Sequence, residues 1–261
     1  MKHRASARAR VSRGSGAARR KSTYVLVHGA WNGGWCWKKV APALRSAGHE
    51  VYAPTLTGLG ERAHLASREV DLETHVADVL GVIEHHELDN IVLCGHSYGG
   101  MVAGGAADRA AAKIASLVYL DAFIPEAGKS LWDFLPPEGA AAQKNSAKDG
   151  WRIPRIPAAE FRVQGSDDIA RLDRRAVDQP AATMDQKSAV TGAWKNIPHL
   201  VYIRAAGQPR PTFAQFAETV KRDPKWQYFE VPCGHNVMLD LPEALTGILL
   251  GCAARAATGK K

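Results

Sequence analysis

The chain predicts an α/β fold: a mostly parallel sheet with helices on both faces. Three features carry that expectation. Short runs rich in β-branched residues stop abruptly at glycine or proline, as buried strands do. Stretches with apolar residues at helical spacing stand between those runs, long enough to cross a sheet and return. The runs are apolar on consecutive positions instead of alternating, which requires cover on both faces.

The elements follow in order. "TYVLVHG" (23–29) is a strand stopped by glycine. "GWCWKKVAPALRSAG" (34–48) places Trp37, Val40, Leu44 and Ala47 on one face of a helix, and "HEVYAP" follows as a strand. "LETHVADVLGVIEHHEL" (72–88) repeats apolar residues at Val76, Val79, Leu80 and Ile83, again one helical face. Next come a strand to Cys94, a small-residue helix from about Tyr98 to Ala112, and the strand "SLVYLDAF" (116–123). The rhythm breaks at Pro125. Residues 125–195 carry prolines, scattered aromatics and many charges, with no convincing strand. It resumes with "HLVYIRAA" (199–206), a helix near 212–222, "WQYFEVP" (226–232) and a final helix from about Pro242 to Ala257. The expected organisation is a core of 23–124 and 196–258 with 125–195 inserted as a lid above the strand ends. The lid follows the strand that ends at Asp121.

Composition narrows the class. The 261 residues are 46% hydrophobic and 23% charged, ordinary for a globular protein large enough for one substantial core. The net charge of +8 sits at one end: residues 1–22 hold eight Lys or Arg and no acid, and the remainder balances at 26 against 26. That tail is too polar to fold and lacks the apolar stretch of a secretory signal, so a transit-like peptide, a tag remnant or a mis-assigned start fits it. No nucleic-acid partner is expected from it. No apolar run approaches a membrane span, so no membrane partner is expected either. Four cysteines without CxxC spacing read as reduced thiols in a cytoplasmic protein. The ten histidines build no metal spacing, and the adjacent His85 and His86 read as solvated or capping groups. No metal or cofactor is expected, and a homodimer is compatible with the sequence.

Chemistry concentrates in "NIVLCGHSYGG" (90–100). A strand, a one-residue turn and a helix would hold Ser97 out at the carboxyl end of the sheet, where ligands bind in parallel folds. Gly95 and Gly99 relieve the turn, and Gly100 lets the helix approach the sheet. The helix N-terminus adds partial positive charge where an oxyanion would form. After the first strand, "VLVHGAW" points backbone N–H groups at the same crevice. The N–H groups of Ala30 and Tyr98 are the expected oxyanion donors, each worth about 10²–10³ in rate. His28 reads as a side chain orienting that loop. "VPCGHNVMLDLPE" puts His235 just past the last strand, placed to act as the general base. The apolar pocket is expected to be lined by Trp31, Phe123, Trp132, Met184, Trp194 and Met238.

"LVHGAWNGGWCW", "GHSYGG", "YLDAFIP" and "GHNVMLDLPE" together resemble the α/β-hydrolase fold superfamily, in its plant methylesterase and hydroxynitrile lyase branch with bacterial carboxylesterase relatives. The resemblance spans roughly 23–255 and is loose in the lid. It implies a Ser–His–Asp triad, with the aspartate in the loop after the penultimate strand. Here that loop reads "YIRAAGQPRPTF" and holds no carboxylate, with Gln208 near the expected position. Asp121, at the end of the strand after the nucleophile helix, is the replacement, as in those superfamily members that take their acid from this strand. Asp240 is the reserve, expected instead to cap the last helix.

The function implied is a serine carboxylesterase acting on small to medium apolar esters through an acyl-enzyme. A hydroxynitrile lyase is the nearest rival. The resemblance places a threonine and a lysine in the lyases where this chain has Gly29 and Asn236. Aspartate-nucleophile chemistry is excluded by Ser97. A ligand-binding receptor with a residual hydrolase site is the alternative from another class.

Overall fold

A computed structural model describes residues 21–258. The basic tail expected over 1–22 lies outside them except for Lys21 and Ser22. In chain order the elements are β1 (Thr23–Val27), α1 (Val40–Ser46), β2 (Glu50–Tyr52), α2 (Leu72–His85), β3 (Ile91–His96), α3 (Gly99–Arg109) and β4 (Ile114–Leu120). Within the insertion are α4 (Pro137–Asn145), β5 (Arg152–Ile153), α5 (Ser166–Arg175), β6 (Gln179–Pro180) and α6 (Ala182–Asp185). The core resumes with β7 (His199–Ala205), α7 (Pro211–Lys221), β8 (Trp226–Val231), α8 (Val237–Asp240) and α9 (Pro242–Thr258).

The main sheet has six parallel strands in the order β2-β1-β3-β4-β7-β8. All six positions of β3 are buried, because α3 with α2 beside it and α9 with α1 beside it pack on the sheet. Its continuous apolar run is the signature of such two-sided cover. The chain leaves β1 for β2 at one side and returns through β3 on the other. The switch therefore opens a crevice beyond the carboxyl ends of β1 and β3.

Two local expectations are corrected. The single helix over 34–48 is a 3-10 turn, Gly34–Trp37, followed by α1. Pro42 has no N–H and its ring would clash one turn back, so it is tolerated only in the first turn of a helix that starts at Val40. The insertion also contains strands, β5 and β6, paired antiparallel. At two residues each they are too short to show any periodicity. Elsewhere α2 starts where its sequence says it should, with Asp71 Oδ1 accepting from Thr74 N at 2.8 Å in a capping box. Among the described residues no helix is long and apolar enough to cross a membrane.

Candidate active site

The crevice at the switch point is where the sequence-predicted groups meet. Ser97 follows β3 directly and adopts φ +55°, a left-handed conformation that turns the chain sharply from strand into α3. A Cβ on Gly95 would lie 2.4 Å from the Gly99 carbonyl oxygen, and one on Gly99 would lie 2.4 Å from that of His28. Those two glycines are what the turn requires. Ser97 is half-buried and opens onto a cavity of about 390 Å³ shared with Ala30, Tyr98 and His235.

The loop after β1 is held by buried polar groups. Leu56 N donates to His28 Nε2 at 3.1 Å, so the ring proton is on Nδ1 and is donated to Gly29 O at 2.8 Å. Burial lowers the His28 pKa to about 4, which keeps the ring neutral near pH 7. Trp31 adopts φ +64°. Its N–H donates to Gln179 Oε1 at 3.0 Å, its carbonyl accepts from Val177 N at 2.9 Å, and its indole N–H donates to Ile153 O at 3.3 Å. All three partners come from the insertion. Tyr98, on the cavity wall, donates its Oη–H to Nδ1 of His75, whose Nε2 donates to Thr57 O, both at 2.8 Å.

His235 comes from the turn after β8. Its N–H donates to Phe161 O at 3.1 Å, and its carbonyl accepts from His96 Nε2 at 2.9 Å. Phe213 and Phe161 stack on its ring, with centroids 5.2 and 5.5 Å away. Its Nδ1 lies 2.7 Å from Asp121 Oδ2. Burial is the largest influence on the imidazole and lowers its pKa, the bond and charge of Asp121 oppose this, and Arg210 and Arg204 lower it further. Strand β4 ends at Leu120, one residue before the expected Asp121, because Asp121 turns out of the ladder at φ +40°. The turn aims its carboxylate across the top of β7.

The other expected groups divide. Trp31, Phe123 and Met184 line the cavity. Trp132, Trp194 and Met238 do not. The Trp132 indole is drawn into the insertion's own packing by Asp185 Oδ1, 2.5 Å from its N–H. Trp194 packs edge-on against Tyr119 and Trp226 and faces a separate groove of about 1040 Å³, while Met238 is fully buried in the core. Asp240 accepts from Gln164 N at 3.1 Å at the end of α8, which replaces the expected cap on the final helix. Gln208 donates to Glu160 O at 2.7 Å and also lines the cavity. The sequence reading missed Leu131, Leu135, Ile156, Phe161 and Phe213 on the cavity wall, and Arg210 at its polar corner. Four of these six lie in the insertion, where no periodicity marks an inward face. Among the described residues no group of His, Cys, Asp or Glu is arranged to hold a metal ion.

Comparisons with known proteins bear on the family and the fold. The profile of the Alpha/beta hydrolase family matches residues 24–247. A carbendazim hydrolyzing esterase of Nocardioides sp. (strain SG-4G) is 48% identical over 235 residues, covering 86% of this chain and 96% of that one. An alpha-hydroxynitrile lyase of Arabidopsis thaliana is 40% identical over 110 residues, covering 41% of this chain and 42% of its own. An extracellular alpha/beta-hydrolase from a Paenibacillus species superposes with a TM-score of 0.77 at 23% identity, covering 88% of this chain and 98% of its own, and so shares the fold.

Proposed function

The chain belongs to the alpha/beta hydrolase family, and from that premise we propose that it is a serine carboxylesterase with Ser97 as nucleophile, His235 as base and Asp121 as acid. The observation that carries the reading is the 2.7 Å contact between His235 Nδ1 and Asp121 Oδ2 at the wall of the cavity that holds Ser97. Ser97 Oγ attacks the acyl carbon while His235 Nε2 takes its proton. The N–H groups of Ala30 and Tyr98 receive the oxyanion, and the Trp31 N–H is spoken for by Gln179. The tetrahedral intermediate collapses as His235 returns the proton to the leaving alcohol. Water then attacks the acyl-enzyme, giving a proton to His235, and His235 returns that proton to Ser97 Oγ as the acid departs.

A cavity of about 390 Å³ walled by Trp31, Phe123, Leu131, Phe161 and Met184 fits small to medium apolar esters. Cys36, Cys94 and Cys233 are free thiols and all four cysteines are buried, which supports a reducing, cytoplasmic setting. The insertion supplies much of the cavity wall, so we read it as the lid in which substrate choice is written.

A fluorophosphonate probe and a panel of p-nitrophenyl esters, with mandelonitrile and carbendazim beside them, test the reading. Labelling of wild type, its loss in Ser97→Ala, and ester turnover are expected. Cleavage of mandelonitrile without ester turnover would move the chain to the lyases. Ligand-induced stabilisation without labelling would make it a receptor.

A further inference from the structure

We propose that Arg204 is a positioning residue that aims the acid at the base, an inference that rests on Asp121 acting as that acid. The register of the sheet pairs Leu120 with Ile203, so the next residues, Asp121 and Arg204, stand side by side at the carboxyl ends of β4 and β7. Arg204 Nη1 donates to Asp121 Oδ1 at 2.5 Å, and the backbone N–H of Ala205 donates to the same oxygen at 3.1 Å. The other oxygen, Oδ2, is the one that His235 Nδ1 approaches. Each carboxylate oxygen therefore has its own partners, which fixes the rotation of a side chain whose backbone has already left the ladder.

Arg204 is built into this place. It is 6% exposed and Asp121 is fully buried. A guanidinium so far from water is tolerable only when its charge and its N–H groups are both met. Asp121 supplies the charge, and the carbonyls of Ala205 and Gln208 take further donors, the latter from Nη2 at 3.1 Å. Arg204 thus ties the acid to the 206–210 loop, the segment that has no carboxylate of its own. Arg204 is not among the residues lining the substrate cavity. Its influence on catalysis runs through Asp121 and through its charge.

That charge has a second effect. His235 faces Asp121 from β4, Arg204 from β7, Arg210 from the start of α7 and the ring of His96 from β3, whose centroid is 4.5 Å away. Phe161 and Phe213 cover its ring without charge, and Glu160 lines the same cavity. Arg204 and Arg210 both oppose protonation of the imidazole, while Asp121 favours it. Removing Arg204 frees the carboxylate to rotate and also removes one repulsion, so turnover should fall while the base becomes easier to protonate. A purely structural arginine would not produce that combination.

The test compares wild type with Arg204→Met, Arg204→Lys, Asp121→Asn and the double variant Asp121→Asn/Arg204→Met. The pH dependence of kcat and KM is followed with a p-nitrophenyl ester, and thermal melting checks folding. Arg204→Met is expected to lower kcat about 10²-fold with KM little changed, the scale of a modest misplacement of catalytic groups. Its acid limb should move to higher pH. Arg204→Lys should return the limb toward wild type and recover part of kcat. The double variant should be no slower than Asp121→Asn alone. Wild-type kcat and an unmoved limb in Arg204→Met would overturn the proposal. If that variant does not fold, Arg204→Gln takes its place: a limb moved upward supports the role and an unmoved limb overturns it. Full activity in Asp121→Asn would instead remove the triad reading beneath it.

Discussion

His235 Nδ1 lies 2.7 Å from Asp121 Oδ2, joining the turn after β8 to the end of β4 across 114 residues of sequence. Asp240, five residues from the same histidine, instead receives Gln164 N–H at 3.1 Å. Asp121→Asn is therefore expected to lower kcat by about 10³–10⁴, the scale found when a triad aspartate loses its charge and the histidine its tautomer. Asp240→Asn should leave kcat within a few-fold of wild type. Steady-state hydrolysis of one ester by both variants decides between them.

The pH dependence of kcat/KM follows from the burial of His235. A base must be unprotonated to take the serine proton, and burial lowers this imidazole below the ordinary histidine value of about 6.5. Activity is expected to persist as the pH falls through that value, with the acid limb centred beneath it. A limb centred above about 6.5 would contradict the placement.

The same logic applied to stability concerns His28 and His75, each lowered to about 4 by burial. Above about pH 6.5 both are neutral folded or unfolded and contribute no pH dependence. As the pH falls from there toward 4, the unfolded chain binds protons that the folded chain refuses, so stability declines. The loss should total several kcal/mol for the pair. Urea denaturation at pH 7 and pH 4.5 should show it, and replacing His75 with Gln should reduce the slope.

Gln179 is fully buried and takes the N–H of Trp31 at 3.0 Å while donating to Thr183 Oγ1 at 2.7 Å. It holds the loop that carries Ala30 in a conformation a bulky tryptophan resists, at φ +64°. Gln179→Leu should lower kcat about 10–100-fold by loosening an oxyanion donor, with a smaller change in KM. A rise in KM with kcat unchanged would assign the residue to substrate binding.

Two glycines should respond to alanine with opposite signs. At Gly99 the added carbon would stand 2.4 Å from the His28 carbonyl, so Gly99→Ala should destabilise by about 1–3 kcal/mol and cost activity. At Gly81, inside α2, nothing lies within 4 Å, so Gly81→Ala should stabilise by about 0.5–1 kcal/mol through backbone entropy. Thermal melting of both variants gives the comparison.

Much of this molecule is readable from local pattern. The alternation of strands and helices, the turn at Ser97, the loop after β1 and the placement of His235 past the last strand all depend on periodicity and on glycines a few residues apart. Those features are set by the backbone where they occur. The carboxylate that meets His235 was only half legible: the sequence shows that residues 202–213 lack a carboxylate, but a strand-end aspartate looks the same whether it caps a turn or faces a histidine. Arg204 reads as one polar residue in an apolar strand, and Gln179 as part of a proline-broken stretch. Phe161 and Phe213 carry no mark of the imidazole they enclose. Tertiary structure decided these, because which groups meet across tens to more than a hundred residues depends on strand order, register and the packing of the insertion. None of those is encoded within any one segment.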